Sequence, residues 1–282
     1  MRVAVLGSSG GMGRFFSRYF LSRGIPVTGS DLKKRAIRNR LFRSASSNAG
    51  AVEGADVVVI ATPIDRTVQT FREVAPALAP GACVVEITSV KGKALRVLRR
   101  QAADHGVKLL SVHPLFGPTL GMRGEMKLCV VETDSGSLSR ARNLFPDATL
   151  IPMSARNHDR MMGAILSLTH ILNIAYAGAI SRYLTPSEFR RIQTPTSAVQ
   201  LTLAEGVLSQ SPSLYSYIQI ENEHSSEFAE ALAEEIALLR RLIERKDRGE
   251  FEKRFGELSK KFSGDSKAAL DLVYQAFEKS SR

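Results

Sequence analysis

The chain has 282 residues, and at roughly 150 residues per domain its length suggests about two domains. It is 44% hydrophobic and 24% charged with a net charge of +11, so it can bury a core while favouring anionic partners. Two cysteines, Cys83 and Cys129, speak against a disulfide framework or a cysteine-based zinc site, and no apolar run approaches the ~18 residues of a membrane span.

The opening stretch, Val3–Leu6, reads as an apolar strand that runs straight into a turn, too short for a signal peptide. A cytoplasmic protein is therefore expected, with no membrane partner and no metal. After the turn comes a helix with Phe15, Phe16, Tyr19 and Phe20 on one face, stopping near Gly24. Pro26–Ser30 is the next strand, ending at Asp31. Asp56–Ala61 is continuously apolar, as a strand buried on both faces requires. Val84–Ile87 and Leu109–Val112 follow, with Leu128–Glu132 and Thr149–Pro152 as strands at the sheet edge.

Beyond about residue 153 the strand signals stop. Helical patterns cover Ala155–Tyr183, Thr196–Gln210, Leu214–Glu244 and Gly249–Phe262. The expected architecture is α/β: a Rossmann-like doubly wound sheet over residues 1–152, then an all-α domain over 153–282. Around Ile165, Leu168, Leu172, Ile174 and Ala175 one helix is apolar over most of its circumference, as in a bundle core or a subunit interface.

The turn Gly7-Ser8-Ser9-Gly10-Gly11-Met12-Gly13 joins a strand to a helix, the arrangement that cradles a pyrophosphate against backbone N–H groups. Its glycines follow Gly7-x-x-Gly10-x-x-Gly13, with Ser8 where the usual fingerprint has its first glycine. Asp31 is placed to accept the adenosine ribose hydroxyls, which favours NAD. Lys33, Lys34, Arg35, Arg38, Arg40 and Arg43 follow it, and they suit either the extra phosphate of NADP or a solvated face. NAD is favoured, because a carboxylate repels a ribose phosphate.

Ligands of an open α/β sheet sit outside the carboxyl ends of its strands. Three such ends are polar here: Thr62-Pro63, Thr88-Ser89-Val90-Lys91 and His113-Pro114. They are expected to bring a hydroxyl, an ammonium and an imidazole to the cofactor crevice. His113 suits the proton acceptor in oxidation of an alcohol by hydride loss. Ser89 suits either an orienting contact or a helix N-cap.

These motifs resemble those of prephenate dehydrogenases. His113-Pro114-Leu115-Phe116-Gly117-Pro118 is similar to their HP-x-x-G segment, Ser89-Val90-Lys91-Gly92 to their S-V-K segment, and Gly10-Gly11-Met12-Gly13 to their cofactor turn. Leu168-Thr169-His170 with Ala175-Tyr176, the stretch Pro212–Ile218, and Arg248–Phe251 with Phe262-Ser263-Gly264-Asp265 extend the resemblance through the second half. The fused chorismate mutase of the bifunctional type is not expected.

The resemblance implies oxidative decarboxylation of prephenate to 4-hydroxyphenylpyruvate with NAD or NADP, by a homodimer formed through the helical domain. It further implies that His113 takes the ring-hydroxyl proton, that Ser89 bonds His113 and the cofactor or substrate, and that His170 faces the substrate. Where the bifunctional enzymes carry a carboxylate-binding Arg, this chain has His224. Arg190 and Arg191, expected on a loop between helices, are substitute carboxylate partners, with Gln200 and Tyr215 as weaker candidates. An arogenate or dual-specificity dehydrogenase is the nearest alternative. A hydroxyacid dehydrogenase would need a Lys on the first interdomain helix, and Ser154–His170 has none. A nucleic-acid or redox-sensing module is disfavoured: Phe42 is the sole aromatic in the basic run, and the chain has no Trp.

Overall fold

The computed structural model describes every residue except 34–36, 120–123, 263, 265 and 281–282. Lys34, Arg35, Ser263 and Asp265, quoted above, lie outside the described residues. The chain divides into two units, Met1–Met162 with Ile220–Glu223, and Gly163–Gln219 with His224–Arg282.

In the first unit the strands are β1 (Val3–Leu6), β2 (Val27–Ser30), β3 (Phe42–Ser44), β4 (Val57–Ile60), β5 (Cys83–Glu86), β6 (Lys108–Pro114), β7 (Lys127–Val131) and β8 (Thr149–Met153). They form one sheet in the order β3-β2-β1-β4-β5-β6-β7-β8. All pairs are parallel except β6 with β7. The β-branched, fully buried Val57–Ile60 runs through its middle, as a sheet covered on both faces requires. β3 was not anticipated: it pairs only Phe42–Ser44 within a basic, polar stretch that carries no alternating pattern.

The helices of this unit are α1 (Gly11–Ser22), α2 (Asn48–Val52), α3 (Thr67–Val74), α4 (Gly92–Asp104), α5 (Ser137–Leu144) and α6 (Ala155–Met162). They cover both faces. One core holds Phe16 and Phe20 of α1 with Phe145 just past α5, the Phe16 and Phe145 rings lying 5.8 Å apart. The other holds Phe71 and Val74 of α3 with Leu95 and Leu98 of α4. Chain order reverses direction between β1 and β4, the crevice where such sheets take ligands. The unit extends past residue 152 because α6 buries His158, Asp159 and Met162 within it.

The second unit contains α7 (Leu168–Ile180), α8 (Pro186–Ile192), α9 (Pro195–Leu208), most of α10 (Pro212–Glu221), α11 (Ser225–Glu244), α12 (Arg248–Lys261) and α13 (Ser266–Ser280). α7 packs against α9 and α11. The long pattern Leu214–Glu244 is thus two helices, broken at Asn222–His224. α8 was expected to be a loop. Thr185 and Glu188 make a capping box with Pro186 in the first turn, and that short-range chemistry starts a helix with Arg190 and Arg191 in its last turn.

Residues 155–180 form one continuous helical stretch, through a π-helical turn at Gly163–Ser167. An 18-residue window within it has a mean hydropathy of 1.5, so the helix is long and apolar enough to cross a membrane, by length and composition only. The sequence expectation missed this because Ser167, Thr169, His170 and Asn173 interrupt the apolar run.

Candidate active site

β1 ends in Gly7, whose φ of +83° is a left-handed conformation that favours glycine. A Cβ there would lie 2.5 Å from the carbonyl oxygen of Ala61, and one at Gly13 would lie 2.0 Å from that of Gly7. The turn is therefore packed so tightly against β4 and the start of α1 that side chains are excluded. Gly10 caps α1 without a side-chain hydrogen bond, and the first turn of α1 holds no acid. The N–H groups that open any helix lack intrahelical partners, so this end can bind an anion. Ser8 donates through its backbone N–H to the Ser30 carbonyl. Asp31 accepts from the backbone N–H groups of Ser9 and Lys33, each at 2.9 Å. A carboxylate oxygen has two lone pairs, so capacity remains for ribose hydroxyls. Thr62 hydrogen-bonds Thr70 of α3 at 3.2 Å, and Pro63 is exposed beside it. The predicted turn residues are thus brought together at one sheet edge, and they fit a dinucleotide pyrophosphate. Gly13→Ala is expected to abolish the rise in melting temperature that millimolar dinucleotide gives the wild type. A thermal-shift titration with an undiminished rise would contradict this cradle.

β1, β4, β5 and β6 are parallel neighbours, so the end of β6 lies on the same edge. His113 is there, 5% exposed. Its Nδ1 is 3.0 Å from Nε2 of His158, and Nδ1 of His158 is 2.8 Å from Oδ1 of Asp159. The backbone N–H groups of Lys91 and Gly92 donate to the two oxygens of Asp159 at 2.9 and 2.7 Å. Asp159 therefore does the capping at the start of α4, the role considered for Ser89. Asn222 donates to the Asp159 carbonyl at 2.8 Å. Burial, then the charges of His158 and Lys91, push the His113 pKa well below 6.5. Burial lowers His158 as well, against the pull of Asp159. For Asp159 burial acts upward, but the bonds from His158, Lys91 and Gly92 outweigh it and hold the carboxyl low.

Ser89 is half-buried, and among the described residues no hydrogen bond joins its side chain to His113. Lys91 departs from expectation. Its ammonium is fully buried rather than in the crevice, donating to Glu86 at 2.7 Å and to the Val112 carbonyl at 2.8 Å. Glu86 also accepts from the Thr88 hydroxyl, the Thr88 N–H and the Ser111 hydroxyl. Glu86 is held buried in β5, where a carboxylate without a counter-charge would be costly, so Lys91 turns inward to pair with it.

In the second unit, His170 is buried with its ring 4.3 Å from that of Tyr215. Its Nδ1 is buried and has no hydrogen-bond partner among the described residues. Burial lowers its pKa. Nearby on α7, Asn173 accepts from Gln200 at 3.0 Å. Arg190 is exposed and paired with Glu205, and Arg191 is exposed beside it. His224 precedes α11 and lies 3.4 Å from Glu227. Among the described residues no hydrogen bond joins Arg190 or Arg191 to His170.

His158, Asp159 and Glu86 were missed in the sequence. The one available signal was an adjacent His-Asp pair on the buried side of a helix start.

Two family profiles match the chain: prephenate dehydrogenase, nucleotide-binding domain, over residues 22–128, and prephenate dehydrogenase, dimerization domain, over residues 154–257. A probable arogenate/prephenate dehydrogenase of Methanocaldococcus jannaschii is 26% identical over 278 residues, 95% of this chain. The chain spans 62% of the length of that relative. A 4-amino-4-deoxyprephenate dehydrogenase of Streptomyces pristinaespiralis is 27% identical, covering 91% of this chain and 90% of its own. The crystal structure of A. aeolicus prephenate dehydrogenase in complex with hydroxyphenyl propionate and NAD+ has the same fold, with a TM-score of 0.76 at 20% identity. It covers 93% of this chain and 97% of its own.

Proposed function

Because the chain belongs to the prephenate dehydrogenase family, we propose that it oxidatively decarboxylates prephenate to 4-hydroxyphenylpyruvate, with NAD as cofactor and His113 as the base. The observation that carries this reading is His113 itself: a buried imidazole, kept neutral by its surroundings, at the carboxyl end of a strand on the same edge of the sheet as the glycine-rich turn. Gly7, Gly10 and Gly13 would hold the pyrophosphate, and Asp31 the ribose. Bound there, the dinucleotide supplies the hydride acceptor for the ring carbon that bears the hydroxyl. His113 accepts the hydroxyl proton. The ring carboxylate then leaves as carbon dioxide, its bonding electrons aromatise the ring, and His113 returns the proton to the phenolic oxygen. The carboxylate of Asp31 supports NAD over NADP, since it repels a 2′-phosphate. His170, whose buried Nδ1 has no hydrogen-bond partner among the described residues, is the ligand-binding residue proposed for the second unit.

A homodimer is part of the proposal. The dimerization-domain match supports it, as do Leu203, Leu208, Phe255 and Phe262, all large apolar residues exposed in the single chain. Light scattering at micromolar concentration is expected to give twice the chain mass, and a monomer would overturn it.

The reaction is tested by offering prephenate, arogenate and 4-amino-4-deoxyprephenate, each with NAD and with NADP. Prephenate with NAD is expected to give the highest kcat/KM, and a clear preference for another pair would reassign substrate or cofactor. A base with depressed pKa stays unprotonated in acid. Since His113 lies below the ordinary 6.5, kcat/KM is expected to show no histidine inflection as pH falls through about 6.5. A pH–rate profile that halves near 6.5 would contradict the environment described for His113.

A further inference from the structure

We propose that His158, held by Asp159, is a positioning residue that fixes His113 as its Nδ1–H tautomer and so leaves the Nε2 lone pair open to the substrate's hydroxyl proton. The inference rests on the reading of His113 as the base. It follows from the direction in which each hydrogen bond must run.

Asp159 is the fixed end. Its two oxygens already accept backbone N–H groups of Lys91 and Gly92 at the start of α4, a bonding pattern that suits the ionised carboxylate alone. The nitrogen of His158 that faces Oδ1 at 2.8 Å must therefore carry the hydrogen. A neutral imidazole has one N–H, so Nε2 of His158 is then a bare acceptor. The atom 3.0 Å away, Nδ1 of His113, must in turn be the donor. His113, neutral as well, is left with an unprotonated Nε2, which among the described residues has no hydrogen-bond partner. Which nitrogen of a histidine is protonated is set by the bond the other makes. Here two bonds in series set it, anchored on a helix N-terminus.

The same chain acts during turnover. The hydroxyl O–H bond breaks, its proton joins Nε2 of His113, and the bonding pair stays on oxygen. The resulting imidazolium still donates from Nδ1 to His158, which donates to Asp159, so the negative end of the chain stabilises the new charge. The fully buried Lys91 ammonium opposes it. The proton is thus held long enough to be borrowed and is then released to the phenolate oxygen, with no net proton gained by the protein.

Histidine 15N–1H correlation spectra of the wild type, with His113 assigned by its loss in His113→Asn, are expected to show Nδ1–H and a bare Nε2. In His158→Phe, kcat for prephenate is expected to fall about 10²-fold while KM changes by less than about threefold. His158→Gln, which can place an amide oxygen near the lost Nε2 and its N–H toward Asp159, is expected to recover at least about tenfold of that loss. A residue important only for packing would lower stability without changing the His113 tautomer. A wild-type His113 found as Nε2–H overturns the inference, as does an unchanged kcat in His158→Phe. An Nδ1–H His113 in a protein inert toward all three substrates would instead overturn the proposed reaction and leave the tautomer assigned.

Discussion

His113→Asn is expected to lower kcat for prephenate by about 10²–10⁴-fold, the range that general base catalysis contributes. The substitution is chosen for what it keeps. The amide nitrogen of Asn reaches the place of Nδ1 and can still donate to His158, so the buried chain to Asp159 is preserved. What disappears is Nε2, the atom assigned to the proton. Circular dichroism and the dinucleotide thermal shift should therefore match the wild type, and the loss should fall on kcat more than on KM. Near-wild-type turnover by this variant would move the base to another residue.

Lys91→Met is expected to destabilise the first unit by about 3–5 kcal/mol, because removing one partner strands a buried charge. Glu86 is 1% exposed and Lys91 0%. Without the ammonium, Glu86 keeps only hydroxyl and backbone donors, from Thr88 and Ser111. The Val112 carbonyl, next in chain to His113, loses its donor as well. The double variant Lys91→Met/Glu86→Gln removes both charges, so it should be clearly more stable than Lys91→Met alone, a non-additivity typical of contacting residues. Urea unfolding of the three variants checks this. A Lys91→Met midpoint within about 1 kcal/mol of wild type would mean that the pair is not the buried ion pair described.

Both experiments probe parts of the molecule that the sequence reveals unequally. The strand, glycine-rich turn and helix of β1–α1 are legible because each rests on local rules: an apolar run, excluded side chains, an amphipathic face. His113 stands out because a polar residue ending an apolar strand faces the ligand edge by topology alone. His158 and Asp159 do not, since they lie on α6, and only the folded sheet and α4 bring them to β6 and to Lys91. From the sequence Lys91 reads as a crevice ammonium, because its partner Glu86 is hidden inside an apolar strand. From the sequence Arg190 and Arg191 read as loop residues, because a seven-residue helix such as α8 shows too little periodicity. In the second unit, the capping boxes at Thr185 and Thr194 are the local signals that mark where α8 and α9 begin.

The most direct test of the account measures products, not cofactor alone. Purified protein supplied with NAD and prephenate is expected to release one carbon dioxide and one 4-hydroxyphenylpyruvate for each nicotinamide reduced. Reduction without carbon dioxide, or no reduction while dinucleotide still binds, would contradict the proposed oxidative decarboxylation.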